Sequence, residues 1–285
     1  MNSLFWILLG LSLAFAVVEM SATFLLAERW RNYGIVDAVW SGGFAVIALL
    51  AFTWVNLSDL PAALRSSHSL LTAMVVLWSL RLALHLAVRI RSHHPVEDVR
   101  YAQLRSEWGA AVSQRMFGFY QLQGVLQAVL ATPWLLVYAN PGGAAAAPGA
   151  AAWAGLGLWT AGWVGESLAD RQLSRFRSDP ANRGKVCQSG LWRYSRHPNY
   201  FFEWLIWLGY GVFALGTPWG WVGMVAPMLM AHFLINVTGI PMTEALSLKS
   251  KGEAYREYQR TTSAFIPWFP RRAAAGRTTA SAPGR

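Results

Sequence analysis

Long apolar runs separated by short polar segments set the hydrophobic pattern of this 285-residue chain. Runs of this length are typical of helices that cross a membrane, which need about 20 mostly apolar residues. We count seven candidate spans, near residues 3–27, 35–55, 69–90, 116–139, 151–169, 200–216 and 219–240. The pattern therefore predicts an all-α integral membrane protein, built as a bundle of seven transmembrane helices.

The composition supports a membrane protein and gives little reason to expect a metal site. Hydrophobic residues make up 54% of the chain and charged residues only 13%, whereas a soluble domain averages about 25% charged residues. The single cysteine, Cys187, excludes an intrachain disulfide. No Cys or His cluster has the spacing of a zinc site, so no metal is expected. The first apolar run lacks a basic start and a cleavage site, so we expect it to remain as a span.

Basic residues divide unequally between the two sides of the predicted membrane. The connections on one side, together with the C-terminal tail, carry 21 Lys and Arg, and the other side carries only Arg65. This asymmetry places the basic side and the C-terminus in the cytoplasm and the N-terminus outside. Because these charges are spread over several loops, we do not expect a nucleic-acid partner.

Several local patterns refine this plan. Pro133 is expected to kink the fourth span. Residues 242–260 are expected to form a short amphipathic helix on the inner face. Residues 1–270 should form one membrane domain, with residues 271–285 as a disordered tail. The Gly155–Gly165 stretch, GLGLWTAGWVG, lies within a span and lacks the third glycine of a dinucleotide-binding turn, so that fold is not expected.

Ionisable groups inside the spans are candidates for chemistry, because a charge is costly there. Asp37 shares a helix face with Trp40 and Ser41. An isolated carboxyl in an apolar site tends toward the neutral acid, which can donate a hydrogen bond to a carbonyl; a structural cap is the alternative. Arg81 and His85 lie one turn apart, and Arg81 requires an anion from either a ligand or a carboxylate.

The richest polar stretch runs from Leu191 to Tyr210, LWRYSRHPNYFFEWLIWLGY. Pro198 suits a first helical turn, and Asn199 and Glu203 then share a helix face. The preceding segment begins with Asp170 and is rich in arginine. It could hold a phosphorylated ligand, although cytoplasmic loops of membrane proteins are commonly basic.

Four stretches carry a resemblance to a known family: YGIVDAVWSGGF, LRLALHLAVRI…EDVRY, SGLWRYSRHPNYFFEWLIWLGY and GEAYREYQRTTSAFIPWFP. Residues from about 150 to 270 look like the C-terminal domain of the steroid 5-alpha-reductase superfamily. The whole chain resembles the bacterial DUF1295 branch of that superfamily. The resemblance implies a seven-helix fold and NADPH-dependent reduction of a carbon–carbon double bond conjugated to a ketone.

The resemblance also implies roles for individual residues. Asn199 and Glu203 match a pair that holds the nicotinamide end of the cofactor. Asp37 stands roughly where a glutamate contacts the substrate ketone, and Trp78 falls near the tyrosine that partners this glutamate. An indole has no acidic hydroxyl to donate. The expected catalytic residues are Asp37, Trp78 and Arg81. The expected cofactor-binding residues are Asp170, Arg171, Arg177, Arg193, Arg196, His197, Asn199, Tyr200, Glu203 and His85.

The main hypothesis is thus a reductase in a bacterial inner (plasma) membrane. NADPH would enter from the cytoplasm, and an apolar enone such as a 3-oxo-4-ene steroid would enter from the lipid. Membrane lipids are the other expected partners, and a monomer is compatible with this arrangement. One alternative is an S-adenosylmethionine-dependent isoprenylcysteine or phospholipid-type methyltransferase, which shares the Arg196–Tyr200 stretch RHPNY and a downstream glutamate such as Glu244. A second alternative is a non-catalytic lipid-binding or assembly protein.

Overall fold

A computed structural model describes residues 1–57, 66–140 and 148–271. Within these ranges the chain is helical and contains no β-strand. The helices are α1 (Ser3–Trp30), α2 (Ile35–Asn56), α3 (Ser67–His93), α4 (Val99–Trp108), α5 (Val112–Leu130), α6 (Thr132–Tyr138), α7 (Ala150–Ser178), α8 (Pro198–Ala214), α9 (Val225–His232), α10 (Ile240–Lys251) and α11 (Glu253–Thr261). The predictions for Arg65 and for the tail from residue 272 onward lie outside the described residues.

Membrane-length helices are confirmed by the structure. Four helical stretches among the described residues are long and apolar enough to cross a membrane, namely Ser3–Trp30, Ile35–Asn56, Ser67–His93 and Gly220–Lys251. The first three begin and end within a few residues of the predicted spans. Helix α8 has 17 residues. Helix α7 has 29 residues, but its glycines and tryptophans score low for hydropathy even though membrane helices tolerate both.

The ends of α1 show how local sequence fixes a helix. Asn2 lies just before the helix, and its side-chain oxygen accepts a hydrogen bond from the backbone N–H of Phe5 at 3.1 Å. Such a cap satisfies one of the donors that the first turn leaves unpaired. At the other end Arg31 adopts a left-handed conformation with φ of 53°, which turns the chain sharply toward α2.

Two predicted helices are divided in the structure. The fourth predicted span is interrupted at Ala131, between α5 and α6, and Pro133 lies in the first turn of α6. This break falls where the kink was expected. The prediction of one amphipathic helix over 242–260 is wrong, because Gly252 separates α10 from α11 with φ of 54°. Glycine adopts this conformation without steric cost, so it ends α10 there.

The chain forms two compact units. The first unit contains Met1–Thr160 and Leu205–Leu229, and the second contains Ala161–Trp204 and Met230–Arg285. Helices α7 and α8 each contribute one part to each unit. The prediction of a single membrane domain over 1–270 stays a prediction.

An aromatic cluster forms the centre of the first unit. Trp78 packs edge-on against Trp207 at 5.1 Å between ring centroids, and Trp134 packs against Tyr210 at 5.2 Å. Phe44 lies against both Trp78 and Trp134. All five side chains are fully buried. Aromatic rings bury large apolar areas and prefer such edge-to-face contacts, so this cluster ties α2, α3, α6 and α8 together.

Glycines let α7 and α8 approach closely in the first unit. A Cβ built on Gly155 would lie 2.6 Å from the carbonyl oxygen of Gly209, and a Cβ on Gly209 would lie 2.8 Å from that of Gly155. The two backbones therefore touch, as small residues permit in membrane helices. This contact explains Gly155 in the GLGLWTAGWVG stretch without a nucleotide site.

Candidate functional site

Hydrogen bonds from several elements hold the turn before α8 in the second unit. The indole of Trp192 donates a hydrogen bond to the carbonyl of Ala169 in α7 at 3.0 Å. From α11, the hydroxyl of Tyr258 donates to the carbonyls of Trp192 and Ser195. Burial raises the pKa of Tyr258, so this phenol stays a donor. The turn is thereby fixed from two sides before the chain enters α8 at Pro198.

Arg196 joins this turn to α10 and to the C-terminal segment. Its Nε donates to Oε1 of Glu244 at 2.6 Å, and its Nη1 donates to the carbonyls of Gln259 and Thr262 at 3.0 and 2.5 Å. The side chains of Arg196 and Glu244 are only 11% and 14% exposed. Arg196 is predicted to contact cofactor phosphates. Its Nε and Nη1 already have protein acceptors, and the phosphate contact stays a prediction.

Two further side chains contact the carboxylate of Glu244. Nε2 of His197 lies 3.3 Å from Oε1 of Glu244, and Gln259 donates from its amide to Oε2 at 2.7 Å. The ring of His197 stacks on Tyr200 with a centroid distance of 5.2 Å. We call Arg196, His197, Glu244 and Gln259 the Glu244 network. It brings together the RHP turn and a glutamate 48 residues further along the chain.

Asn199 occupies the first turn of α8, directly after this network. Its side-chain oxygen is buried and has no hydrogen-bond partner among the described residues. Glu203 lies one turn further on the same face and is half-buried. A buried amide oxygen without a donor is costly, so Asn199 presents an acceptor that a ligand donor would satisfy.

The other predicted cofactor-binding residues of the second unit lie on α7 and on the 3-10 turn before α8. Asp170 is half-buried on α7, and Arg171 and Arg177 are exposed further along that helix. Arg193 is exposed at the end of the turn Gly190–Arg193. These three arginines supply positive charge that water can reach.

A cleft of about 600 Å³ opens in the second unit. It is lined by Arg196 and by side chains between Gln259 and Arg271. Its lining combines the cations Arg260 and Arg271 with the exposed rings of Trp268 and Phe269. Arg260 also forms ion pairs with Glu253 and Glu257.

Asp37 in the first unit is not the isolated acid that the sequence suggested. Its Oδ2 accepts a hydrogen bond from Arg100 Nη2 at 2.5 Å, and its Oδ1 accepts one from the Tyr101 hydroxyl at 2.7 Å. Arg100 also contacts Asp98, which pairs in turn with Arg89. The expectation of an isolated acid at Asp37 is therefore wrong. The carboxyl joins α2 to α4.

The remaining predicted residues of the first unit lie on α3. Trp78 is completely buried and packs in the aromatic cluster, and its catalytic role stays a prediction. Arg81 is half-buried and His85 is exposed, one turn apart as predicted.

Arg100, Tyr101 and Gln259 are polar residues that sequence reasoning missed. Arg100 and Tyr101 belong to the stretch EDVRY, where acidic and basic residues stand close together. That pattern indicates ion pairs but not their partners. No group of three or more His, Cys, Asp or Glu side chains that could hold a metal occurs within residues 1–57, 66–140 and 148–271.

The fold and the site together define a class of protein: a helical protein with membrane-length helices and with polar residues at the start of α8. Residues 23–262 match the family described as "Protein of unknown function (DUF1295)", and the chain belongs to that family. It is 28% identical over 219 residues to an uncharacterized protein of Schizosaccharomyces pombe, an alignment that covers 67% of this chain and 60% of that protein. The chain thus spans less than two thirds of the length of this relative. No solved structure matches the chain significantly.

Proposed function

We propose that this protein is a membrane-embedded, NADPH-dependent reductase of a carbon–carbon double bond conjugated to a ketone. The substrate would be an apolar enone of the 3-oxo-4-ene steroid type that enters from the lipid. The proposal places the protein in the bacterial DUF1295 branch of the steroid 5-alpha-reductase superfamily. The observation that carries it is the buried, unpartnered side-chain oxygen of Asn199.

The chemistry of Asn199 suits the nicotinamide end of NADPH. The nicotinamide carboxamide carries N–H donors, and a buried amide oxygen gains most from such a donor. Glu203 lies on the same face of α8, so it would add a second polar group to the same ligand. Bound NADPH would supply a hydride for the β-carbon of the enone, and a proton from solvent would complete the reduction at the α-carbon. The predicted contributions of Arg81, His85 and Asp170 remain part of this proposal.

Phosphate groups of the cofactor would be held by cations of the second unit. Arg171, Arg177 and Arg193 are exposed, and guanidinium groups bind phosphates through paired hydrogen bonds. Arg260 and Arg271 add charge beside the exposed ring of Trp268 in the cleft. In this proposal Arg196 and His197 act indirectly, by fixing the turn that presents Asn199.

The proposed topology has seven spans, an outer N-terminus and a cytoplasmic C-terminus in a bacterial plasma membrane. The 21 basic residues on one side support it. Helices α5 with α6, α7 and α8 would supply the spans beyond the four that length and composition already identify.

A methyltransferase is the second candidate, and the Glu244 network favours it specifically. The RHPNY stretch and Glu244, which such enzymes would share, converge through the 2.6 Å contact of Arg196 with Glu244. S-adenosylmethionine is compact and lacks a 2′-phosphate, so it would require fewer arginines than the second unit exposes.

A turnover assay tests the reductase. Purified protein in detergent is given NADPH with progesterone, an enone, or with its saturated 5α-dihydro analogue. We expect NADPH to be consumed with progesterone but not with the saturated analogue. One molecule of dihydro product should form for each NADPH oxidised. Asn199→Leu should reduce this rate at least about tenfold, whereas Asn182→Leu, at an asparagine in a turn outside the site, should retain it. Loss of NADPH without a reduced steroid would contradict the proposal.

A further inference from the structure

A carboxyl group lies inside the first membrane-length helix, at Glu19 of α1. Membrane helices rarely carry ionisable side chains, and those that occur face a partner, a cavity or a ligand. Among the described residues Glu19 has no ion pair. Its surroundings in the first unit therefore decide what it does.

The carboxyl of Glu19 packs against α2 and α5. A Cβ built on Gly43 would lie 2.4 Å from both carboxyl oxygens and 2.4 Å from Nε2 of Gln127. Only a residue without a side chain leaves room there, so the acid and the amide sit together over the backbone of α2. Gln127 is fully buried and donates to the carbonyl of Trp40 at 2.8 Å. The indole of Trp40 donates to the carbonyl of Gln123 at 2.9 Å.

Three polar atoms of this cluster have no hydrogen-bond partner within the described part of the chain. They are Oε2 of Glu19, Oε1 of Gln127 and Nε2 of Gln123, and all three are buried. Gln123 and Gln127 are one turn apart on α5, so their side chains share a face. Two unused acceptors and one unused donor remain in an apolar bundle, where each unsatisfied group is costly.

A hydroxyl group complements this set. It can donate one hydrogen bond to a carboxyl or amide oxygen, and its own oxygen can accept one from an amide N–H. A ketone offers no donor, and a cation would leave the Gln123 donor unsatisfied. Val17 and Val18, next to Glu19 on α1, are exposed and apolar, whereas Ala16 and Met20 are buried. A ligand reaching the cluster from that side would be soluble in lipid.

The geometry points to an intramembrane site, formed by Glu19, Gln123 and Gln127 over Gly43, that binds the hydroxyl group of an apolar alcohol from the bilayer. The ligand class is a sterol-like or terpenoid alcohol. This site does not depend on the proposed cofactor, since none of its residues was assigned to NADPH or to the enone.

Photoaffinity labelling of the wild-type protein provides the first test. A diazirine analogue of farnesol is crosslinked to the protein in nanodiscs, and the labelled peptides are identified by mass spectrometry. We expect labels on α1 and α5 near Glu19 and Gln123. Farnesyl methyl ether keeps the size and the acceptor oxygen of farnesol but lacks its O–H donor. Its competing concentration should be at least about tenfold higher than that of farnesol. Equal competition by the ether would show that the cluster holds water or an unspecific lipid, and would overturn the inference.

Variants provide the second test. Glu19→Leu and Gln127→Leu should each reduce competable labelling at least about fivefold. Leu25→Ile, at an exposed position of α1 six residues from Glu19, should leave the labelling unchanged. Should a variant fail to fold, Gly43→Ala, which displaces the carboxyl, gives a milder change with the same expected direction. Full labelling in all three site variants would overturn the inference. NADPH-dependent turnover, measured in parallel, reports on the reductase proposal separately.

Discussion

Nε of Arg196 lies 2.6 Å from Oε1 of Glu244, in a pair whose side chains are 11% and 14% exposed. The contact joins the turn that precedes α8 to a helix 48 residues later. The same guanidinium also binds the carbonyls of Gln259 and Thr262. A single residue therefore fixes three segments of the second unit, and the position of Asn199 at the start of α8 follows from it.

Removing one partner of this pair should destabilise the protein strongly. Glu244→Ala leaves the Arg196 guanidinium buried without its anion, and losses of about 3–5 kcal/mol are typical when one partner of a buried pair is removed. The melting temperature in detergent measures this loss. The matched control is Arg256→Ala, which breaks an exposed pair with Glu253 and should leave the melting temperature unchanged. Equal losses in both variants would argue against the anchoring role of Arg196.

Asp37 and Arg100 should be energetically coupled. In a double-mutant cycle of Asp37→Asn and Arg100→Met, we expect a coupling free energy of about 1 kcal/mol or more, because the two groups touch at 2.5 Å. Chemical unfolding in detergent measures the free energy of unfolding of the wild type, the two single variants and the double variant. The cycle of Asp37→Asn with Arg115→Met, at an exposed arginine outside the hydrogen bonds of Asp37, serves as control and should show additivity. A coupling near zero for Asp37 and Arg100 would mean that the contact contributes nothing to stability.

Acid should weaken the first unit through Asp98. Burial acts to raise the pKa of Asp98, but hydrogen bonds and positive charge from Arg100, with a further contribution from Arg89, hold that pKa below its usual value. A depressed carboxyl pKa adds stability above the unfolded pKa of about 4, and this stability is lost as the pH falls further. Asp98→Asn should therefore lower the melting temperature by more at pH 7 than at pH 3. An equal loss of melting temperature at pH 7 and pH 3 would contradict a stabilising role for the ionised Asp98 carboxylate.

The close contact of α7 with α8 should depend on Gly155. Gly155→Ala would place a methyl group 2.6 Å from the carbonyl of Gly209, and such overpacking costs about 1–3 kcal/mol. Gly157→Ala, two residues along the same helix, meets nothing within 4 Å. It should be neutral or stabilise by up to about 1 kcal/mol. Thermal unfolding of both variants tests this prediction. A Gly155→Ala protein as stable as the wild type would show that the helices do not touch there.

Much of the fold could be predicted because the apolar pattern is local. The first three spans were located within a few residues, and the break near Pro133 follows from a residue that interrupts helices by its own chemistry. Gly252 was missed because the sequence around it still looks amphipathic, and a single glycine does not reveal whether it will adopt a left-handed conformation.

The site was harder to predict because its contacts join distant segments. Asp37 meets Arg100 and Tyr101 more than 60 residues away, and no spacing rule connects them. Taken alone, the local sequence predicts an isolated acid at Asp37 and a phosphate ligand at Arg196. In both cases the partner lies on a different helix or segment. Sequence periodicity predicts each helix separately and does not show which helices contact each other. The Asn199 and Glu203 face was accessible to prediction because both residues belong to one helix.

Cofactor binding to the purified protein in detergent tests the central claim most directly. We expect NADPH to raise the melting temperature of the wild-type protein, and Asn199→Leu to abolish most of this shift while its unliganded melting temperature stays close to that of the wild type. S-adenosylmethionine should produce no shift. A shift with S-adenosylmethionine and none with NADPH would contradict the reductase and establish the methyltransferase alternative instead.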